Sequence, residues 1–599
     1  MALIPVVGRK TWKMRVLVAA LYLILTLGAV AMVYPFLVML GASAESQYEK
    51  SSPEIVPRYL YSDTALLGKY AEDKYRGDMD VINAAYGTNY AALQDIRPPA
   101  QADSGAVRGW NAFAAALPGR YKSAGFGGAA AYSPSPLLDR YHLFLRTRFR
   151  GSIRALDAAY NQEDEDFLTV FPPFEQPAAH TWTPGTDAKS LDWKAFEATL
   201  PAHYFVVVGA DPLYRRWLQQ EAEPDLRTLN AAWGTRLRSY GDIPLTALPE
   251  GNMKERKDWE EFVRTLLPFR DTRVEPSARG AYEAFLQQQY KGSVARYNQK
   301  YGAHIASFRA ITLPNPEALP AAGPPLLDWI AFLRVAPLSV LSADTPETRW
   351  HGTSPAQAVL ASDWAYVQAN AGALRRDYVS RNYRLVMQYI FLHGSAVSVT
   401  VIYCFLAILT TLIVNPLCAY ALSRYNLSYG NAVLLFLLAT MSFPGEISLI
   451  QNFLLLKQFH LLNTYAALIL PGAASGYSIF LLKGFFDSLP RELYEAGTLD
   501  GAGELRMFWT ITLPLSRPIF AVIGLGAFSA AYGGFLYAMT ICQDHKMWTI
   551  MVWLYELQSS GAPMYVMMAA LTLAALPTLL VFMLTQNVIM KGIILPSFK

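Results

Sequence analysis

Glu495 lies in the stretch Leu489-Pro-Arg-Glu-Leu-Tyr-Glu-Ala-Gly-Thr-Leu-Asp-Gly-Ala502, which runs on to Phe508, Ile511, Leu513, Pro514 and Pro518. Their spacing builds two short helices with a sharp bend, lying outside the bilayer. Pro490 suits a first helical turn, where its missing N–H has no intrahelical partner to lose. Leu493, Ala496 and Leu499 follow at helical spacing and form one apolar edge. Gly501 can take the positive φ that ends such a helix, and a second short helix with Leu505 and Phe508 leads to Pro514. Other reactive groups do not assemble. The eight histidines are scattered, with no H-E-x-x-H or Cys/His spacing, so no metal site is expected. No G-x-x-x-x-G-K-[S/T] occurs, so any ATP and its Mg must be bound by another chain, and no catalytic residue or cofactor is assigned to this one. Asn415, Tyr420, Gln451, Asn452, Tyr477 and Ser478 lie in or beside long apolar stretches. Such groups face protein or a water-filled path, and helix–helix hydrogen bonding fits each of them as well as solute contact does.

The elements that would position these residues are membrane helices. The chain is 53% hydrophobic and 16% charged, too apolar for an ordinary soluble protein of its length. Its net charge of +4 comes with no basic stripe, so nucleic acid is not an expected partner. Cys404, Cys418 and Cys542 all sit in or at the edge of apolar segments, which excludes a disulfide framework for the polar middle of the chain. The run from Val16 to Gly41 carries no charge, exceeds a signal-peptide core and ends in Tyr34-Pro-Phe rather than a small-residue cleavage site, so it is a retained span. Further apolar stretches near 394–422, 431–454, 464–482, 518–540 and 563–589 make six expected spans. Arg9, Lys10, Lys13 and Arg15 place the N-terminus in the cytoplasm, and Lys591 and Lys599 place the C-terminus there. The loops holding Arg424 and Lys483 to Arg517 then fall inside, and residues about 45–383 fall outside.

The 489–518 segment closely resembles the EAA loop of binding-protein-dependent ABC importer permeases. Glu495, Ala496, Gly501, Ile511, Leu513 and Pro514 match its pattern, and Asp500-Gly501-Ala502 is typical of the carbohydrate-uptake branch. Gly497 departs from it, standing where the second Ala belongs. Tyr34-Pro-Phe, Asn382-Tyr-Arg-Leu and Ala419-Tyr-Ala-Leu-Ser-Arg424 are similar to the smaller permease of maltose-type transporters. The resemblance covers residues 1–45 and 380–599. It implies a sugar or oligosaccharide permease in a prokaryotic inner membrane, with 485–517 as the coupling loop. Glu495, Ala496, Gly497, Asp500, Gly501, Ala502, Leu513 and Pro514 would meet the ATPase subunit. Its partners would be a dimer of ATP-binding subunits, a second homologous permease, an extracytoplasmic solute-binding protein and membrane lipid. A non-sugar solute, or a membrane-anchored recognition module, is the alternative.

The fold expected is therefore an all-α membrane protein, organised as 1–44 with the first span, an insertion at 45–383, and five spans in 384–599. The insertion contains Ile82-Asn-Ala-Ala-Tyr-Gly-Thr88, Leu156-Asp-Ala-Ala-Tyr-Asn161, Leu229-Asn-Ala-Ala-Trp-Gly-Thr235 and Tyr297-Asn-Gln-Lys-Tyr-Gly302. Aligned on Gly87, Asn161, Gly234 and Gly302, apolar or aromatic residues recur six and nine places later. A W-x-x-F pair closes each copy at Trp110, Trp193, Trp259 and Trp329. Copies spaced by roughly 70 residues predict a helical four-repeat array, with helices ending at Gly or Asn161 and with Thr88 and Thr235 capping the helices that follow. Leu229-Asn-Ala-Ala-Trp-Gly-Thr235 also looks like a short helical signature of some β-galactosidase-type glycoside hydrolases. A glycosidase needs two carboxylates across a sugar site, normally on a barrel, and no strand–helix alternation is present. Tryptophan faces can stack on sugars, but those in W-x-x-F suit the core, and none of Trp182, Trp217, Trp350 and Trp364 is assigned to a ligand.

Overall fold

The first apolar run forms one helix, α1 (Trp12–Ala42), whose side chains the rest of the chain leaves largely uncovered. A helix apolar all round is stable only against lipid or other helices. The computed structural model describes residues 12–49, 54–100, 103–125, 134–164, 166–316, 319–352, 354–392, 395–425, 427–440 and 445–592. It divides into two units, Met1–Ala44 with Asn382–Lys599, and Glu45–Arg381.

In Glu45–Arg381 the helices are α2 (Asp63–Tyr75), α3 (Met79–Tyr86), α4 (Ser104–Ala116), α5 (Pro136–Arg148), α6 (Ile153–Tyr160), α7 (Ala188–Glu197) and α8 (Asp211–Trp217), followed by α9 (Leu226–Trp233), α10 (Met253–Thr265), α11 (Arg279–Gln289), α12 (Val294–Tyr301), α13 (Gly323–Val335), the short α14 (Pro346–Arg349) and the first part of α15 (Pro355–Leu392). Three helix trios, α5–α7, α8–α10 and α11–α13, each enclose their own aromatic core, with Trp193 and Phe196, Trp259 and Phe262, and Trp329 and Phe332 inside. Strands of two to three residues pair the segments that leave these helices: β1 (Lys122–Ser123), after α4, runs antiparallel to β2 (Val206–Val207), after α7, and β3 (Thr272–Val274), after α10, to β4 (Leu341–Ala343), after α13.

A buried carboxylate fixes each trio. Asp192 accepts from the Tyr160 hydroxyl at 3.0 Å, Asp258 from the Trp233 indole at 2.9 Å, and Asp328 from the Tyr290 and Tyr301 hydroxyls at 2.6 and 2.8 Å. Each aspartate stands directly before the W-x-x-F tryptophan. The first copy has Gly109 there, and α4 cannot supply the bond. Asp363 of α15 does so instead, taking Tyr75 and Tyr86 hydroxyls at 2.8 and 3.0 Å and Lys74 at 2.5 Å. The first core is thus closed by the last helix of the insertion, with Val367 and Tyr378 packed among α2 and α3 residues.

The middle helix of each group ends as expected, with Gly87, Asn161, Gly234 and Gly302 at φ of 63°, 54°, 72° and 62°. The threonines do something other than cap the next helix. Thr88 and Thr235 donate backwards, to the Asn83 and Asn230 side chains at 3.0 and 2.7 Å. Those asparagines also grip the backbone seven residues on: Asn230 accepts from Leu237 N–H at 2.8 Å and donates to Leu237 C=O at 2.9 Å. Asn83 does the same at Tyr90, and Asn298 at Ile305. Capping fails because an extended segment follows the glycine, and the asparagine has already bracketed it.

In the membrane unit, α16 (Ser395–Arg424) and α27 (Met564–Gly592) are long apolar helices like α1. Between them lie α17 (Gly430–Thr440), α18 (Gly445–Gln458), α19 (Tyr465–Ile469), α20 (Gly476–Asp487), α21 (Glu492–Leu499), α22 (Glu504–Met507), α23 (Leu513–Leu515), α24 (Arg517–Gly533), α25 (Phe535–Ile541) and α26 (Ile550–Ser559). Three described helices can cross a bilayer, or up to five if two bent pairs, with angles of 53° and 84°, each count as one span. Of the run expected as a span at 431–454, the described residues form α17 and α18, and residues 441–444 lie outside the described residues.

The asparagine bracket is testable. Asn230→Ala removes three hydrogen bonds and should cost about 1–3 kcal/mol, seen as faster amide exchange across 226–240 in the full-length protein. Asn230→Asp, which keeps the acceptor as Asp157 does for Asp164 N–H at 3.1 Å, should cost less.

Candidate functional site

The 489–517 hairpin is built on a helix end made by Gly501. With φ at 76° there, Gly501 N–H reaches Thr498 C=O at 3.0 Å and Ala502 N–H reaches Gly497 C=O at 2.9 Å. These two bonds form the paired helix stop that only a left-handed residue permits. Pro490 lies just before the capping residue Arg491, rather than in the first turn. Gly497 faces inward: a β-carbon there would come within 3.1 Å of the Met507 sulfur, so the glycine lets α21 and α22 close on each other.

Sequence reasoning missed what holds the hairpin from behind. Tyr494 is buried and shares a hydrogen bond with Thr512 at 2.8 Å. The Arg424 guanidinium lies 3.6 Å from the Tyr494 ring centre and donates to Phe486 C=O at 2.7 Å. One turn earlier in α16, the Tyr420 hydroxyl donates to Glu504 at 2.7 Å, while Ser423, next to Arg424, donates to Asp487 at the end of α20 at 2.7 Å. The end of α16 thereby grips both helices of the hairpin. The outward side is bare. Leu499 is 89% exposed and Leu505 70%, with Leu493, Trp509, Glu495, Ala496 and Asp500 also exposed. Ala502, Leu513 and Pro514 are half-buried behind them.

The residues expected along a solute path do not form one cluster of like environment. Asn415 is fully buried, donates to Thr411 and Ala473 C=O at 3.0 and 3.3 Å, and accepts from Ser475 N–H at 2.7 Å. It satisfies backbone groups freed at the 53° break before α20, where no water would do so in lipid. Tyr420 is engaged at the hairpin. Ser478 is buried, Asn452 is half-buried, and Gln451 and Tyr477 are exposed in this single chain.

Residues 385–594 match the family described as "Binding-protein-dependent transport system inner membrane component". The polygalacturonan/rhamnogalacturonan transport system permease protein YtcP of Bacillus subtilis is 34% identical over 206 residues, covering 32% of this chain and 71% of that one. The chain belongs to this family. The sn-glycerol-3-phosphate permease UgpE of Yersinia enterocolitica is 32% identical over 184 residues, 30% of this permease and 66% of that one. The diacetylchitobiose uptake permease NgcG of Streptomyces coelicolor is 30% identical over 202 residues, 32% of this permease and 66% of that one. The permease therefore spans about two thirds of the length of such relatives. A crystal structure of a bacterial ABC transporter for import of the acidic polysaccharide alginate is matched at 22% identity over 34% of this permease and 78% of that chain, with a TM-score of 0.31. The matched family region leaves Glu45–Arg381 outside it.

That unit holds a second group of buried charges. Asp271 is 1% exposed, and burial raises its carboxyl to about 7, against the pull of Arg270. Burial, then the neighbouring Glu347 charge, raises Asp211 to about 7 as well. Both pKa values lie above the ordinary carboxylate value of 3.8, so the folded permease binds these protons more tightly than the unfolded chain. Their contribution to stability is complete below about pH 4 and is lost as pH rises through about 7. The denaturant midpoint followed by tryptophan fluorescence should fall between pH 4 and pH 8, and Asp271→Asn should flatten that fall.

Proposed function

We propose that this permease subunit carries a saccharide across the inner membrane and is driven by a separate ATPase through its 489–517 hairpin. The observation that carries this reading is the bare apolar edge of Leu493, Leu499 and Leu505 on a hairpin fixed from behind by Tyr420 and Arg424. An exposed apolar patch on a braced element is what a partner surface needs. A dimer of ATP-binding subunits, holding ATP and Mg, would take this edge and the Glu495, Asp500 and Gly501 turn. Bracing at the end of α16 would pass its motion to the spans. A second homologous permease would complete the path, and an extracytoplasmic solute-binding protein would deliver the solute. Two of the relatives are named for carbohydrate solutes and one for a phosphorylated polyol, which favours sugar and keeps another solute as the alternative. In this reading the chain crosses the membrane six times, with α17 and α18 as one of the spans, and both termini are cytoplasmic. The insertion is an extracytoplasmic four-repeat array that serves recognition.

Gly501→Val places a β-branched residue at φ 76°. It should lower solute-stimulated ATPase at least about tenfold, as should Leu499→Asp, while both variants remain stable in detergent; wild-type transport in both would refute the coupling role. For topology, Met253 and Leu499 are 87% and 89% exposed. A membrane-impermeant thiol reagent should label Met253→Cys in intact cells and leave Leu499→Cys untouched, whereas equal labelling would overturn the topology.

A further inference from the structure

The replacement of α4 by α15 in the first core leaves α4 standing apart, and a cleft opens between α3, α4, α15 and the strand β2. It has a lobe of about 480 Å³ and one of about 180 Å³, which share a wall of Ala85, Trp110, Val206, Val207 and Val359. Trp110 borders both lobes but is itself buried, 4% exposed, packed against Phe113 and edge-on to Trp350 with ring centres 5.5 and 5.2 Å away. Pockets for small ligands span about 300–1,000 Å³ and combine aromatic walls with a few placed polar groups.

The polar groups are of the kind that read hydroxyls. In the smaller lobe Glu347 takes Asp211 N–H on Oε1 at 3.4 Å, while its buried Oε2 has no hydrogen-bond partner among the described residues. Gly209 makes room for this carboxylate, since a β-carbon there would fall 1.7 Å from Oε1. In the larger lobe Asn111 accepts from Ser362 at 2.6 Å, Asn370 stands nearby, and His203 stacks on Tyr366 with ring centres 4.7 Å apart. Burial, with Lys74 and Arg140 nearby, lowers the His203 pKa and favours a neutral ring with one donor and one acceptor. The cations of the cleft are already paired, Lys74 with Asp363 at 2.5 Å, Arg215 with Asp211 at 3.0 Å and Arg216 with Asp80 at 3.2 Å. The unmatched charge is Glu347. It disfavours a uronate or a phosphate, and the flanking Arg215 and Arg216 disfavour an amine.

We infer that this cleft binds a neutral, hydroxyl-rich oligosaccharide, with a sugar hydroxyl donating to Glu347 Oε2 and the apolar face of a sugar ring against the shared wall of Ala85, Val206, Val207 and Val359. The inference rests on the reading of the chain as a sugar permease and adds a site outside the spans. The test uses full-length permease in nanodiscs, titrated calorimetrically with maltotetraose, cellotetraose, mannotetraose and xylotetraose, and with trigalacturonate and spermidine as charged probes. At least one neutral tetrasaccharide should bind, and Glu347→Gln and Asn111→Ala should each weaken it about tenfold or more. Met253→Ala, on an exposed helix start, should not. Stronger binding of trigalacturonate or spermidine would overturn the class of ligand, and neutral binding unchanged in both cleft variants would overturn the site. If no probe binds while the assembled transporter still shows sugar-stimulated ATPase, the cleft inference falls and the sugar-permease reading stands. If that stimulation is also absent across the panel, both fall.

Discussion

A carboxylate buried beside an indole costs several kcal/mol unless donors meet it, and the insertion meets that demand four times with an aromatic hydroxyl or indole, three times from the end of the preceding helix. Asp192, Asp258 and Asp328 each find their donor inside their own trio. Asp363 finds Tyr75 and Tyr86, nearly three hundred residues away in sequence. That one long-range pair brings the end of the insertion back to its beginning. It puts entry and exit in the same core, which is what a domain inserted between two membrane helices requires. Around these bonds, the left-handed helix stops and the asparagine brackets set the direction of each chain segment leaving the core.

In the membrane unit the ruling constraint is the same demand applied to the backbone. A broken helix in lipid exposes N–H and C=O groups that water cannot reach. Asn415 answers it at the break between α19 and α20 with both ends of its amide. Gly476 answers it sterically, because a β-carbon there would lie 2.3 Å from the Leu437 carbonyl oxygen and hold α17 off α20. The hairpin is held differently, by a cation over an aromatic ring and by a hydroxyl on a carboxylate, contacts with direction. These directional bonds tie the base of the short element to α16, while its apolar edge stays outside any intrachain core.

Much of this was legible in the residue pattern, for reasons that can be named. Gly501, Gly87, Asn161, Gly234 and Gly302 announce positive φ because few other residues tolerate it, and W-x-x-F marks the core because two aromatics one helical turn apart share a face. Long uncharged runs mark spans by solvation alone. Partners distant in sequence were not legible. Nothing local to Tyr420 says that its hydroxyl meets Glu504, and nothing local to Asn415 says whether it meets a solute or Ser475. Thr88 and Thr235 misled because a helix cap depends on where the chain goes next. One long-range partner did leave a trace. Asp-Trp occurs at 192–193, 258–259 and 328–329, and again at 363–364, while the first copy has Gly-Trp at 109–110. The displaced dipeptide records the displaced helix.

That displacement bears on what the insertion is for. A spacer or brace needs stiffness, and four separate aromatic cores joined by paired strands supply it without any opening. A regular first copy, with an aspartate at 109 and α4 in the core, would have been the simpler way to build one. Instead the chain closes that core with α15 and leaves α4 beside a cleft. It retains a buried carboxylate oxygen without a donor, at a cost of about 1–3 kcal/mol or more for a charged group, and a glycine whose absent side chain accommodates that carboxylate. Stability alone selects against both features. Buried polar groups take partners from water or a ligand as well as from the chain, and the proposed saccharide site would give Glu347 Oε2 such a partner, which a plain brace would not supply.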